Sequence, residues 1–179
     1  GKIPGGISHS ILHKTFGILE PLTAFRAGGL LFVFLLTFSV FLFVQKFTNK
    51  LTAACVVFFL TTLPRLFFEA HLATLDYSLT TLWLLSILTY IKGVQSKKWL
   101  LAASILMGFT LLIKLSAVFL LISLILYGTL FPFVKQKTIH INVIKDVLRN
   151  TIPLIIIPLL IYFSLWPWLW NNTYSKLLE

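Results

Sequence analysis

Apolar residues come in long runs separated by short polar stretches, the spacing that membrane-crossing helices require. The runs extend from about Ala27 to Val44, Leu51 to Pro64-Arg65, Tyr77 to Ile91, Trp99 to Ile113 and Leu115 to Phe133. The last extends from Ile152 to the Trp166-Pro167-Trp168-Leu169-Trp170 cluster. A hydrocarbon core about 30 Å thick asks for roughly 20 apolar residues per helix, and several runs hold nearer ~15. Flanking residues could be recruited, or the bilayer could thin locally. The pattern predicts an all-α fold, a polytopic transmembrane helical bundle of about six spans. Residues 1–26 read as an outward-facing juxtamembrane segment, loop-like and Gly-rich at its start. Residues 27–170 read as the transmembrane region, and 171–179 as an outward-facing tail that begins a loop.

Composition sharpens the class. Apolar residues make up 58% and charged residues 11%, against about 25% charged in soluble domains, which excludes a free-standing soluble domain. A formal charge of +10 would suggest nucleic acid in a soluble protein. Here the cations sit between apolar runs, so they read as topology signals and no nucleic-acid partner is expected. Alternating the loops puts Lys46, Lys50, Lys92, Lys97, Lys98, Lys135, Lys137, Lys145 and Arg149 on one side. Lys2, Lys14, Arg26, Arg65, Lys114 and Lys176 fall on the other, nine cations against six. The positive-inside rule makes the first side cytoplasmic. The stretch from Lys135 to Asn150 is then the longest cytoplasmic loop, with room for a short interfacial helix. The expected location is a multi-pass integral protein of a bacterial inner membrane rather than the endoplasmic reticulum. Cys55 has no partner cysteine, so no disulfide forms.

The acids are few: Glu20, Glu69, Asp76, Asp146 and Glu179. Asp146 reads as a solvated loop residue. Glu69 and Asp76 flank His71 between the second and third runs. On one helix, Arg65, Glu69, Leu72 and Asp76 would fall at i, i+4, i+7 and i+11, a polar stripe on one face. Each uncompensated charge at membrane depth costs about 2.5–3.5 kcal/mol, so such groups pair or line a wet cavity. The plain alternative is an i, i+4 ion pair between Arg65 and Glu69. Asp76 could act as general base, as metal ligand or as acceptor for a sugar hydroxyl. Glu69 and His71 are weak candidates for a divalent metal ion, and a hydrogen-bonded interfacial histidine is the plainer reading of His71. Lys114, at a turn between two apolar runs, is either a lysine snorkelling to the interface or a cation for a lipid phosphate, and Arg26 admits the same two readings. The Trp166 to Trp170 cluster reads as an interfacial aromatic belt. Asn171-Asn172-Thr173 fits the N-glycosylation pattern.

These residues, in this order, resemble the GT-C superfamily of polyprenyl-phosphate-sugar-dependent glycosyltransferases. The nearest branch holds protein O-mannosyltransferases and lipid A aminoarabinose transferases. The resemblance rests on Arg26 opening a span, on Leu63-Pro64-Arg65 with Asp76 and an apolar helix after it, and on the basic turn Lys97-Lys98-Trp99-Leu100-Leu101-Ala102. It continues through the helix end from Gly108 to Lys114 and the Trp-Pro-Trp-Leu-Trp run with Asn171 after it. It extends from about Phe16 onward, and its weight lies in order and spacing rather than in any single motif. Family helices of the Gly108–Lys114 type usually carry Thr before the Lys, where this chain has Ile113.

The resemblance implies inverting transfer of a sugar from a polyprenyl or dolichyl phosphate donor to a protein, lipid or glycan acceptor on the outer side. By that implication Asp76 is catalytic, and Lys114, Arg65 and Arg26 hold the donor phosphate. Family members carry a catalytic acid in the first outward loop. Glu20 is the one acid before Arg26 and lies too close to the span to match it. The chain, lacking an initiator Met, is therefore expected to be a piece of a longer enzyme and inactive alone. Two other classes compete: a transporter or flippase-like protein, and a non-catalytic membrane subunit whose charges merely pair. No internal repeat of the kind transporters carry is evident.

Overall fold

The computed structural model describes residues 2–72, 74–136 and 141–166, and the apolar runs are largely helical there. The elements are α1 (Lys2–His9) followed by a π-helical turn (Ser10–Thr15), α2 (Pro21–Ala27), α3 (Leu30–Val44), α4 (Lys50–Thr62) and α5 (Pro64–Leu72). There follow α6 (Leu75–Gly93), α7 (Lys97–Ile113), a 3-10 turn (Leu115–Ala117), α8 (Val118–Gln136) and α9 (Ile141–Leu165). No strand occurs among the described residues. Pro167 to Trp170, the Asn171-Asn172-Thr173 pattern, Lys137, Lys176, Glu179 and the 171–179 tail lie outside the described residues, as do the side chains of Lys2, Lys135 and Asp146.

The helix boundaries have local causes. Asn49 is extended and its Oδ1 accepts from the Thr52 N–H at 2.8 Å, capping α4. Leu63, pushed out of the helical region by the following Pro64, ends α4 with ψ 122. Pro64 then opens α5, and the two helices meet at a bend of 68°. Gly17, at φ 63, is left-handed where the π-helical turn ends, a conformation only glycine adopts without strain.

Apolar surroundings show in the hydroxyls. Thr37 donates to the Val33 carbonyl at 2.8 Å, Thr62 to Phe58 at 2.9 Å, Thr89 to Leu85 at 2.6 Å and Ser123 to Phe119 at 2.8 Å. Bonding back one turn satisfies a hydroxyl without water, as lipid demands. Between these residues large apolar side chains lie open, Phe58 at 62% and Phe119 at 71% among them. The helices are those of an integral membrane protein. Pro21–Val44 and Val147–Leu165 are long and apolar enough to cross a bilayer, and the bent pair α4–α5 makes a third crossing if counted as one. A count of six spans is not confirmed. The reason is physical: α6 carries Asp76 and Lys92 with several hydroxyls, and α7 has only 17 residues.

Two further expectations change. The start of the chain, expected to be loop-like, is helical: Ser8 Oγ donates to the Ala24 carbonyl at 2.6 Å, and Gly5 lies against the Phe25 ring, holding α1 on α2. Among the described residues no separate short helix precedes the last run, since α9 passes unbroken from Ile141 to Leu165. Asn150, Leu154 and Pro158 are all buried, and their spacing of four puts them on one stripe that crosses from the polar part of α9 into the apolar part.

Packing divides the chain into two units, residues 1–84 and 85–179, with the division inside α6. In the first, Phe32, Leu36 and Tyr77 form the core, with Val40, Leu60, Leu66 and Ala70 against it. Thr81 Oγ1 donates to the Tyr77 carbonyl at 2.9 Å and to Phe32 of α3 at 3.3 Å, a polar tie between two apolar helices. In the second, α9 packs on both α7 and α8. Leu100, Ala103, Ser104, Met107, Gly108 and Leu111 make the buried stripe of α7. At Gly108 a Cβ would lie 2.8 Å from Ile161, so the absence of a side chain sets how closely these helices approach.

Candidate functional site

Five of the six sequence-derived candidates belong to the first unit. Pro64 places Arg65 in the first turn of α5, and one turn later Glu69 accepts a hydrogen bond from Arg65 Nε to its Oε1 at 3.0 Å. The two side chains differ in setting: Arg65 is 86% exposed and Glu69 15%. Of the five guanidinium N–H donors one is committed to Glu69. The expected pair is therefore formed.

The longer stripe is not. α5 ends at Leu72 and a new helix starts at Leu75, so Asp76 is not on one helical face with Arg65 and Glu69. Asp76 instead occupies the first turn of α6, half-buried, where a carboxylate suits the positive end of the helix dipole. Its backbone carbonyl accepts from Thr80 Oγ1 at 2.9 Å. The connecting Thr74 donates its N–H to the Glu69 carbonyl at 3.3 Å, tying the end of α5 to the start of α6.

Sequence reasoning missed Tyr77, Ser78 and Thr81. All three are buried; Tyr77 and Ser78 follow Asp76 directly and Thr81 lies one turn on from Tyr77, a polar start to α6 that is the signal that could have found them. Glu69, Thr74, Tyr77 and Ser78, with Gly29 and Phe32, line a cavity of about 10 Å³. That is room for about one water and none for a sugar ring.

His71 is exposed on α5 and its Nδ1 lies 2.7 Å from the Phe67 carbonyl, so the ring N–H sits on that nitrogen and donates to it. Its ring lies 4.2 Å from that of Phe67. Glu69 is held by Arg65 and His71 by backbone, and no three His, Cys, Asp or Glu gather among the described residues. Arg26 is exposed in the last turn of α2, inside the apolar stretch from Pro21 to Val44 rather than just ahead of it. Glu20 caps the start of α2 by its backbone, without a side-chain cap bond.

Lys114 belongs to the second unit. It terminates α7 with extended backbone (φ −155, ψ 130) and is exposed at the turn before α8, the turn expected from the sequence.

A protein-family model described as dolichyl-phosphate-mannose-protein mannosyltransferase matches residues 10–170. No curated protein and no solved structure gives a match. The match covers the α5–α6 site, both units and nearly the whole sequence, and it bears out the GT-C resemblance. The chain belongs to the dolichyl-phosphate-mannose-protein mannosyltransferase family.

Proposed function

We propose that this chain is the membrane part of an enzyme that moves a sugar from a polyprenyl or dolichyl phosphate to an acceptor hydroxyl on the outer side of the membrane. The family match over residues 10–170 carries the reading. In it, Asp76 takes the proton of the acceptor hydroxyl. The acceptor oxygen forms a bond to the anomeric carbon as the carbon–oxygen bond to phosphate breaks, inverting the centre. The electron pair leaves with the phosphate. Cations stabilise the charge that grows there; Arg65, with donors beyond the one given to Glu69, is the candidate the geometry favours. Arg26 is a second, and Lys114 is carried forward from the sequence alone. A divalent ion at Glu69 and His71 would need ligands from beyond the described residues, and no step relies on it.

A protein, a lipid or a glycan can each serve as acceptor without change to these roles, because each presents a hydroxyl. The reading keeps six membrane crossings, with α6, α7 and α8 crossing alongside the helices that are long and apolar enough by themselves. It also keeps the lysine-rich turn at Lys92–Lys98 in the cytoplasm, in a bacterial inner membrane, and residues 171–179 outside.

The test of the site is Asp76→Asn against Asp76→Glu in the full-length protein, assayed in membranes for transfer from a radiolabelled polyprenyl-phosphate mannose. Loss of a general base predicts a fall of about 10²–10⁴-fold for Asn with partial recovery for Glu, at unchanged protein level. Full activity in Asp76→Asn overturns the assignment.

A further inference from the structure

An apolar groove of about 420 Å³ opens between α7 and α9 in the second unit, within the ~300–1,000 Å³ of small-molecule sites. It is lined along its length by Leu101, Ile152, Pro153 and Ile157, and Lys97 and Arg149 also contribute to its wall. These two cations mark one end. Arg149 Nη2 donates to the Val94 carbonyl at 3.3 Å, which puts the guanidinium at the α6–α7 turn, beside the first turn of α7 where Lys97 sits exposed. Lys145 lies one turn before Arg149 on α9, also exposed. Around that end the sequence sets Lys97, Lys145 and Arg149 against a single acid, Asp146, the one acid within residues 85–166, so cations outnumber acids there.

An apolar groove with two cations in its wall complements an acyl chain that ends in an anion. It does not complement a zwitterionic lipid, whose ammonium the cations repel, nor a plain apolar helix, which leaves them unused. We propose that this groove binds an anionic membrane phospholipid, its phosphate held by Lys97 and Arg149 and one acyl chain lying along Leu101, Ile152 and Ile157. Pro153 helps to form the wall, because its ring adds apolar surface where it cannot donate an N–H. Basic pockets between membrane helices bind acidic headgroups by this combination of charge and packing. The site shares no residue with the α5–α6 site and stands or falls independently of the transferase reading.

The test uses the full-length protein purified in detergent and titrated with phosphatidylglycerol or phosphatidylcholine, with retained lipid counted by native mass spectrometry. Phosphatidylglycerol is expected to be retained about tenfold over phosphatidylcholine. Lys97→Ala should weaken that retention about fivefold, the share of one interfacial cation. Ile152→Trp, which fills the groove but leaves both cations, should weaken it as well. Equal retention of the two lipids, or retention unchanged in Lys97→Ala, overturns the proposal. So does preferential retention of undecaprenyl phosphate, which would assign the groove to the donor lipid.

Discussion

Arg65 and Glu69 share a hydrogen bond but not an environment, and the difference makes their substitutions unequal. Glu69 is the enclosed partner, at 15% exposure against 86%. Arg65→Ala leaves a mostly buried carboxylate without its donor, a loss of about 1 kcal/mol or more. Glu69→Gln keeps an acceptor for Arg65 Nε and removes the enclosed charge. Thermal unfolding in detergent should therefore show Arg65→Ala lowered clearly and Glu69→Gln much less. Equal losses would mean that Glu69 is as hydrated as its partner. This pair was legible in the sequence because i, i+4 geometry needs only one helical turn. Asp76 was legible as a candidate but not in its place, since the stripe assumed helix through Ala73 and Thr74, and nothing in those residue types announces a break. Tyr77, Ser78 and Thr81 were passed over because hydroxyls in an apolar run look incidental until their neighbours are seen.

Among the helices, three glycines of the second unit make contrasting demands. At Gly128 a Cβ would collide with the Tyr90 hydroxyl, itself buried with no hydrogen-bond partner among the described residues. At Gly108 it would meet the Ile161 side chain, and at Gly93 the backbone of Leu100 at 2.8 Å. Overpacking of this kind costs about 1–3 kcal/mol, but its remedy differs. Gly128→Ala should be rescued by Tyr90→Phe, and Gly108→Ala by Ile161→Ala. Gly93→Ala has no side chain to trim and should resist rescue, reducing folded protein more than the other two. Melting curves of the singles and doubles decide it; rescue of Gly93→Ala by a side-chain change would contradict the packing described. Helix existence was readable from apolar runs alone. Helix facing was not, because a run apolar on every side, such as α3, carries no periodic signal for which stripe is buried. The extent of α9 escaped for a related reason: Asn150 looks like a loop residue, yet it is buried in line with Leu154 and Pro158.

For the whole molecule, the sequence supports six crossings where length and hydropathy among the described residues give two, or three with the bent pair. Short helices can still cross if the bilayer thins or flanking lysines snorkel. The question reduces to α7, whose ends are the basic turn at Gln95 and the Lys114–Ser116 turn. In a Cys55→Ser background, an impermeant thiol reagent added to intact cells should label Ser116→Cys and not Gln95→Cys. Labelling of both would remove α7 from the crossings and with it the topology drawn from loop charges. Family membership, by contrast, came from the order of short motifs across the chain and agrees with the match to residues 10–170. That match also weighs against the transporter and scaffold readings.

The central claim is that this membrane protein discharges a lipid-phosphate sugar, and donor turnover measures that directly. Membranes holding the full-length protein would be given radiolabelled polyprenyl-phosphate mannose and an extract of candidate acceptors. A transferase predicts that label leaves the lipid fraction, appears in acceptor material and depends on the protein. Label that stays on the lipid, across a series of sugars and acceptors, would contradict it.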